Sequence, residues 1–296
     1  MNLTLIVATR NRAQSLHRTL RAIEKIQSLS PWELVVVDNG STDDTANVLS
    51  TFAEQTSLNM VVVHEPKLGI ANARNSGMKA ASGRILAFTD DDCLPARDFV
   101  DQTLLVFSED ASLGFVGGRI LLHDDADQPI AIKESLDREL ISPGQFIEVG
   151  LIHGANFAFR RTALQQAGGF DPFFGVGSYY AVEDIDLVSR VSASGWYGVY
   201  DARPLVYHDH GRKTLAEAHS TQNIYARGRG AYYVKCILAR QWSFQAMKEW
   251  YWASRRKKLS SLSREFAGGV SFLFRSLWDR GQRFRNLDFQ NIEKPC

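Results

Sequence analysis

Four runs of almost uninterrupted apolar residues, each the length of a strand, recur through the first ninety residues of this 296-residue chain. They are Leu3–Ala8, "ELVVVD" (Glu33–Asp38), "NMVVVHE" and "RILAFTD". Helical patterns separate them: Leu16, Leu20, Ile23 and Ile26 recur at helical spacing and Pro31 ends that stretch. The turn "NGSTDD" leads into a short helix that Ser41 or Thr42 can cap, and a further helix over Ile70–Ala81 ends near Gly83. Strands that are apolar throughout are buried on both faces, and helices that alternate with them cover those faces. The pattern predicts an α/β fold with a Rossmann-like, mostly parallel sheet and helices on both sides. Sheets of this kind bind ligands beyond the carboxyl ends of their strands, where Thr9–Arg12, Asp38–Asp44 and Asp90–Asp92 fall.

After Phe107 the pattern is less regular. "GFVGGRILL" and "NFAFRR" read as strands, and "EDIDLVSRVSASG" reads as a helix closed by Gly195. "WYGVYD" reads as a last strand, with "VYHDHG" as a loop behind it. From Gly211 the chain is helical in pattern, basic, and holds four of the six tryptophans, Trp242, Trp250, Trp252 and Trp278. The expected organisation is therefore a globular segment over 1–210 and a helical appendage over 211–296. The net charge of +1 conceals this division. Residues 1–210 carry 17 Lys+Arg against 27 Asp+Glu, a net of −10, and residues 211–296 carry 17 against 6, a net of +11. A chain 45% hydrophobic and 23% charged is globular, which excludes disordered, collagen-like and disulfide-scaffold proteins. Cys93, Cys236 and Cys296 form no CxxC pair, so neither a disulfide framework nor a zinc ribbon is expected and a reducing compartment is. No signal peptide and no run of about 20 apolar residues is read, so the expected location is cytoplasmic, with peripheral attachment to a membrane left open.

Three groups of residues can do chemistry. Asp90, Asp91 and Asp92 follow a buried strand, and alternation lets Asp90 and Asp92 point together while Asp91 points elsewhere. Paired carboxylates repel unless a cation lies between them, and their hard oxygens suit Mg²⁺ or Mn²⁺. A solvated acidic loop ahead of Pro95 is the alternative, and the position at a strand's carboxyl end favours the metal site. Glu183, Asp184 and Asp186 open a helix, where acids stabilise the helix dipole by about 0.3–1 kcal/mol each. A carboxylate there can equally take the proton of an attacking hydroxyl. His208 and His210 are a surface pair or include one imidazole that completes a metal site with Asp92. Arg10, Arg12 and Arg74 can handle phosphate oxygens, and Asp38 can accept from a base N–H. There is no GxGxxG after the first strand and no GxxxxGK[ST], which disfavours dinucleotide oxidoreductases and P-loop enzymes.

The ordered motifs "TLIVATRNR", "ELVVVDNGSTDDT", "GIANARNSG", "ILAFTDDDC", "GANFAFRR", "GGFDPFFG" and "VEDIDLVSR" resemble glycosyltransferase family 2 over about residues 1–210. The resemblance implies the GT-A fold and an inverting transfer from a nucleotide-sugar donor, a UDP-sugar being favoured, with Mg²⁺ or Mn²⁺. By the same resemblance Thr9 and Asp38 match nucleoside-contacting positions, and Arg74 matches the arginine beside the nucleotide. Asp90 and Asp92 match the DxD pair, Asp92 as the more direct metal ligand and Asp90 nearer the ribose. Asp184 matches the general base, with Glu183 beside it, and His208 matches the downstream metal-ligating histidine. Asn156 with Gly154 and Ala155 resembles the floor of the sugar pocket.

The QxxRW motif of processive polysaccharide synthases is absent, so one sugar per encounter is expected, added to a glycan or lipid-linked acceptor in cell-surface polysaccharide or glycoconjugate synthesis. Two rivals are a sugar nucleotidyltransferase, which would carry a glycine-rich loop where "ATRNRAQ" has none, and a non-catalytic nucleotide-binding module. In the appendage the aromatic residues Trp242, Phe244, Trp250, Phe266, Phe272, Phe274 and Trp278 pack helices in the plainest reading. "RRKK" (Arg255–Lys258) with Arg275, Arg280, Arg283 and Arg285 also suits an anionic membrane surface. Nucleic acid is not an expected partner, because the rest of the chain is acidic.

Overall fold

The four apolar runs form strands of one sheet in a computed structural model that describes residues 1–239, 243–255 and 259–278. Trp242, Arg256, Lys257, Lys258, Arg280, Arg283, Arg285 and Cys296 lie outside the described residues. The chain divides into two compact units, Met1–Ser178 with Glu183–Ala218, and Tyr179–Val182 with the described residues from His219 onward.

In the first unit β1 (Leu3–Thr9), α1 (Ala13–Ile23), β2 (Trp32–Asp38), α2 (Thr45–Gln55), β3 (Met60–His64), α3 (Ile70–Ala80) and β4 (Ile85–Asp90) alternate as expected. β5 (Cys93–Pro95), α4 (Phe99–Glu109), β6 (Leu113–Leu122), β7 (Glu139–Ile141), β8 (Asn156–Arg160), α5 (Arg161–Ala167), α6 (Glu183–Ala193) and β9 (Tyr197–His208) follow. The strand order is β3-β2-β1-β4-β8-β6-β9-β5, with β7 on β9. The sheet is parallel from β3 to β4 and mixed beyond, because β8 runs antiparallel to both β4 and β6.

Period-2 alternation assigns the two faces. Leu3, Leu5 and Val7 face a core shared with Leu16, Leu20 and Ile23 of α1 and with Phe99, Val100 and Val106 of α4. Ile6 and Val37 face α3, where a Cβ on Gly77 would fall 2.6 Å from Ile6 Cγ2, so the helix lies closer to the sheet than a side chain there allows. Helices thus cover both faces. On β4 and β8, Phe88, Phe157 and Phe159 join Phe170 in an aromatic cluster, with ring centroids 5.3 Å apart for Phe88 and Phe170.

The structure corrects two local readings. Ser41 and Thr42 do not cap α2: the Ser41 hydroxyl accepts from Asn11 N–H and the Thr42 N–H donates to Asn11 Oδ1, which ties the β1–α1 turn to the β2–α2 turn. Asp43 Oδ1 accepts from Thr45 N–H instead. The last strand does not stop at Asp201 but runs to His208, because its second half pairs with β6 and β5.

In the second unit α7 (Leu215–Leu238, whose first residues belong to the first unit), α8 (Ser243–Arg255) and α9 (Leu259–Trp278) pack through small residues. A Cβ on Gly230 would lie 1.7 Å from Glu265 O and one on Gly268 2.0 Å from Arg227 O, so α7 and α9 meet backbone to backbone. Buried Glu265 accepts from Arg229 Nε at 2.8 Å and from Trp250 Nε1 at 3.3 Å, and the Trp250 indole stacks on Tyr233. Tyr180 belongs to this unit, with its hydroxyl 2.9 Å from that of Ser271 and its ring against Phe272. Cys93 and Cys236 are buried and form no disulfide among the described residues. Among the described residues no helix is long and apolar enough to cross a membrane.

Candidate active site

Because β1, β2 and β4 are adjacent and parallel, their carboxyl ends deliver Thr9, Asp38 and Asp90 to one edge of the sheet, with Thr9 opposite Asp38 and Ala8 opposite Asp90 in register. Asp38 accepts from Ser41 N–H at 3.0 Å and lies 3.5 Å from His64 Nδ1. Arg10 is exposed at the same edge, and Arg12 follows it half-buried.

The three aspartates differ in their surroundings: Asp90 and Asp92 come together near His208, and Asp91, which shares Arg12 with Asp92, turns elsewhere. Asp91 turns back into the sheet edge, where it accepts from the Thr9 hydroxyl at 2.7 Å and pairs with Arg12 Nε at 3.2 Å. Burial pushes its carboxyl up to about 7 against the pull of Arg12. Asp92 pairs with Arg12 Nη2 at 2.8 Å and faces His208 Nε2 at 3.3 Å. Burial works to raise Asp92, but the His208 contact and the charges of His208 and Arg12 overcome it and hold the carboxyl below the ordinary range. Asp90 is pushed up by burial, with the neighbouring Asp92 charge adding to it and Arg74 opposing.

Arg74, only 2% exposed on α3, connects the two acidic groups of the sequence. Its Nη2 donates to Asp90 Oδ1 at 2.9 Å and to Gly154 O at 3.0 Å, and its Nη1 donates to Glu183 Oε1 at 2.9 Å. The guanidinium carbon sits over Phe157 and Phe170 at 5.2 and 5.5 Å from the ring centroids. One buried cation thus holds the end of β4, the loop before β8 and the start of α6 together.

Asp184, next to Glu183, accepts from Gly154 N–H through Oδ2 and from Ile185 N–H through Oδ1, both at 2.8 Å. Burial raises its carboxyl, while these two hydrogen bonds favour the charged form. Gly154 therefore donates to Asp184 and accepts from Arg74, and a Cβ there would stand 3.2 Å from Arg74 Nη1. Ala155 O accepts from the Thr89 hydroxyl, and Asn156 commits its Nδ2 to Arg119 O and Pro204 O, joining β6 to β9.

The two histidines divide. His208 ends β9 opposite Cys93 and joins Asp90, Asp92 and Cys93 in a cluster whose ligand atoms lie within 4.8 Å of one another. Its Nδ1 is buried with no hydrogen-bond partner among the described residues. His210 points away: its Nδ1 accepts from Arg212 N–H at 3.0 Å, so Nε2 carries the proton and donates to Gln128 O at 3.0 Å. Two carboxylates and an imidazole are a donor set for a divalent cation, whereas burial keeps the Cys93 thiol protonated by raising it well above its ordinary value.

Sequence reasoning missed three features of this site. It left Asp91 without a partner, it did not foresee that Arg74 reaches Glu183, 109 positions away, and it passed over His153. Burial and the neighbouring charges of Lys133 and His208 lower His153 to about 4. No local pattern signals any of the three, since each depends on pairing between distant segments.

The sequence model for glycosyl transferase family 2 matches residues 4–168, more than half of the chain and most of the residues just described. The chain belongs to glycosyl transferase family 2. Within that family it is 30% identical over 217 residues to the pre-mycofactocin glycosyltransferase of Mycobacterium tuberculosis, covering 71% of this chain and 43% of that protein. It is 26% identical over 219 residues to the O-antigen chain rhamnosyltransferase WbaN of Salmonella anatum, covering 70% of this chain and 66% of that one. The chain thus spans less than half the length of its mycobacterial relative. Among solved structures, the mannosyltransferase PcManGT from Pyrobaculum calidifontis, in complex with GDP-Man and Mn²⁺, superposes with a TM-score of 0.61 at 20% identity, over 97% of this chain and 85% of that one. TarS 1-349 of S. aureus in complex with UDP gives 0.57 at 15% identity, over 98% and 89%. The family 2 chain shares the GT-A fold with them.

Proposed function

We propose that this chain is a metal-dependent, inverting glycosyltransferase that moves one sugar from a nucleotide-sugar donor, a UDP-sugar being favoured, to a hydroxyl of a glycan or lipid-linked acceptor in cell-surface polysaccharide or glycoconjugate synthesis. The observation that carries this reading is the Arg74 bridge, which joins the Asp90–Asp92–His208 donor set to the Glu183–Asp184 pair. A nucleotide-binding module without chemistry has no need of a half-buried, raised carboxylate beside such a set.

Thr9 and Asp38 contact the nucleoside, Arg10 and Arg12 the phosphates, and Gly154, Ala155 and Asn156 line the sugar pocket. Asp92, with Asp90 and His208, would hold Mg²⁺ or Mn²⁺, whose contribution when bound is to neutralise negative charge on the diphosphate. Asp184, oriented by Gly154 and Ile185, accepts the proton of the acceptor hydroxyl. The oxygen of that hydroxyl bonds to the anomeric carbon from the face opposite the diphosphate. The bond from that carbon to the diphosphate breaks, and the electron pair leaves with the diphosphate. A carboxylate raised by burial takes a proton more readily than a solvated one, which suits Asp184 to the role. Residues 1–210 supply this chemistry, and residues 211–296 bring the protein to a cytoplasmic membrane surface that presents the acceptor.

Asp184→Asn tests the assignment. Nucleotide binding, read by thermal shift with UDP-, GDP- and dTDP-sugars, is expected to be unchanged, and transfer to fall by at least about 100-fold. Retained transfer in that variant rules out Asp184 as the base.

A further inference from the structure

Helix α8 shows one packed face and one face that no other described residue covers. Buried Ala246 and half-buried Trp250 face inward, the indole of Trp250 stacked on Tyr233 of α7 and donating to Glu265 of α9. With about 100° between successive residues, Met247, Tyr251, Phe244, Arg255, Lys248 and Trp252 occupy a continuous arc of roughly 140° on the other side. All six are exposed: Phe244 by 76%, Tyr251 by 57%, Met247 by 50% and Trp252 by 47%, with Lys248 and Arg255 between them. That arc holds three aromatic rings, a methionine and two cations, and no acid; Glu249 sits half-buried on the flank. The guanidinium of Arg255 lies 5.8 Å from the centroids of both Tyr251 and Trp252, so the charge is carried among the rings and not apart from them. In the sequence Arg255 opens the run "RRKK".

We propose that this face of α8 docks the protein on an anionic phospholipid surface. Leaving three aromatics and a methionine in water brings no folding stability, and tyrosine and tryptophan have their most favourable environment at the level of lipid headgroups, where one edge of the ring is apolar and the other wet. Lys248 and Arg255 lie among them, able to extend their charged ends to lipid phosphates while their stems lie along apolar chains. The absence of acids from the arc and the net of +11 over residues 211–296 give the sign of the partner. A basic helix with an aromatic face and no membrane-spanning length lies in the plane of the interface, its apolar side at the headgroup–acyl boundary, and not across the bilayer. The docking stands on α8 alone; its purpose, bringing the site to a lipid-linked acceptor, rests on the transferase reading.

The test is flotation of the full chain with phosphatidylcholine vesicles and with vesicles containing about 30% phosphatidylglycerol, enough to give a strongly negative surface. The native protein is expected to float with the anionic vesicles, to lose that partition in high salt, and to stay behind with the neutral ones. Lys248→Gln with Arg255→Gln is expected to lower partition on the order of 30-fold, about fivefold for each cation removed. Phe244→Ala with Trp252→Ala is expected to lower partition to the anionic vesicles at low salt, with both cations still in place. Both substitutions lie on an exposed face, so unchanged thermal unfolding verifies that the variants fold. Equal partition to neutral and anionic vesicles, unchanged partition of the charge variant, or binding of single-stranded RNA in place of vesicles would each overturn the proposal. Transfer to a soluble acceptor is measured in parallel: its retention in the variants that no longer float, or its absence in a protein that does float, separates the fate of the docking surface from that of the proposed activity.

Discussion

The guanidinium of Arg74 is enclosed by Phe157, Phe170, Gly154, Asp90 and Glu183, and water reaches almost none of it. Removing such a cation leaves two carboxylates facing a low-dielectric interior with their compensation gone. Arg74→Met is expected to cost about 3–5 kcal/mol, read as a shift of the urea midpoint. Arg74→Lys should recover little, because a single ammonium cannot reach Asp90, Glu183 and Gly154 O in the geometry of the planar fork. Arg74→Met combined with Glu183→Gln should recover part of the loss, since one of the stranded charges is then gone, and a double-mutant cycle measures that coupling. Asp90 and Asp92 are legible as a pair because period-2 alternation is a local property. The partner of Asp90 is not, since Arg74 lies on a separate element, helix α3, and is brought to the end of β4 by packing.

At the level of elements, β9 shows how a strand can carry two tasks. Its middle anchors the sheet: Asp201, on β9, pairs with Arg203 at 2.7 Å and with Arg138 at 3.3 Å, and Arg203 also bonds Glu109 of α4. Burial works to raise Asp201, but the hydrogen bonds and charges of Arg203 and Arg138 prevail and hold it below its ordinary value. A carboxyl depressed in the folded state contributes stability that is complete above the unfolded value, near pH 4, and is lost as pH falls through the lower folded value. Asp201→Asn should therefore lower the melting temperature at neutral pH, and its difference from the native protein should shrink below about pH 4, as a pH series of thermal unfolding curves would record. The end of β9 serves the site. Pairing of Cys93 with His208 sets the imidazole beside Asp92, and two residues later His210 turns toward Gln128. Alternation alone would send two residues two positions apart to the same side, but β9 ends at His208 and His210 lies beyond it. Only the register between β5 and β9 decides which one arrives, and a three-residue strand such as β5 is too short to leave a pattern of its own.

For the whole molecule, ligands that bind only the folded state raise its stability by mass action. Mn²⁺ at about 100 times its dissociation constant should add about 2.7 kcal/mol, seen as a rise in melting temperature. His208→Ala should reduce that rise while leaving the melting temperature without metal within a few degrees, and UDP added with Mn²⁺ should shift the native protein further than either alone. The charge division of the chain belongs to this scale as well, with an acidic segment holding the site and a basic one presenting α8 to solvent. The α/β architecture, the strand ends at which the site forms, and the acidic, basic and histidine residues available to it are all written in the linear order of residues. Apolar periodicity, alternation and turn chemistry act between neighbours, so a linear reading captures them. Folding in three dimensions was needed to make Arg74 the shared counter-ion, to turn Asp91 back onto Thr9 and Arg12, to bring His208 and not His210 to the acids, and to leave one side of α8 exposed. Each of these depends on strand register or helix packing between segments far apart in the chain, and the energies that settle them arise only when burial removes the water that would otherwise screen the charges.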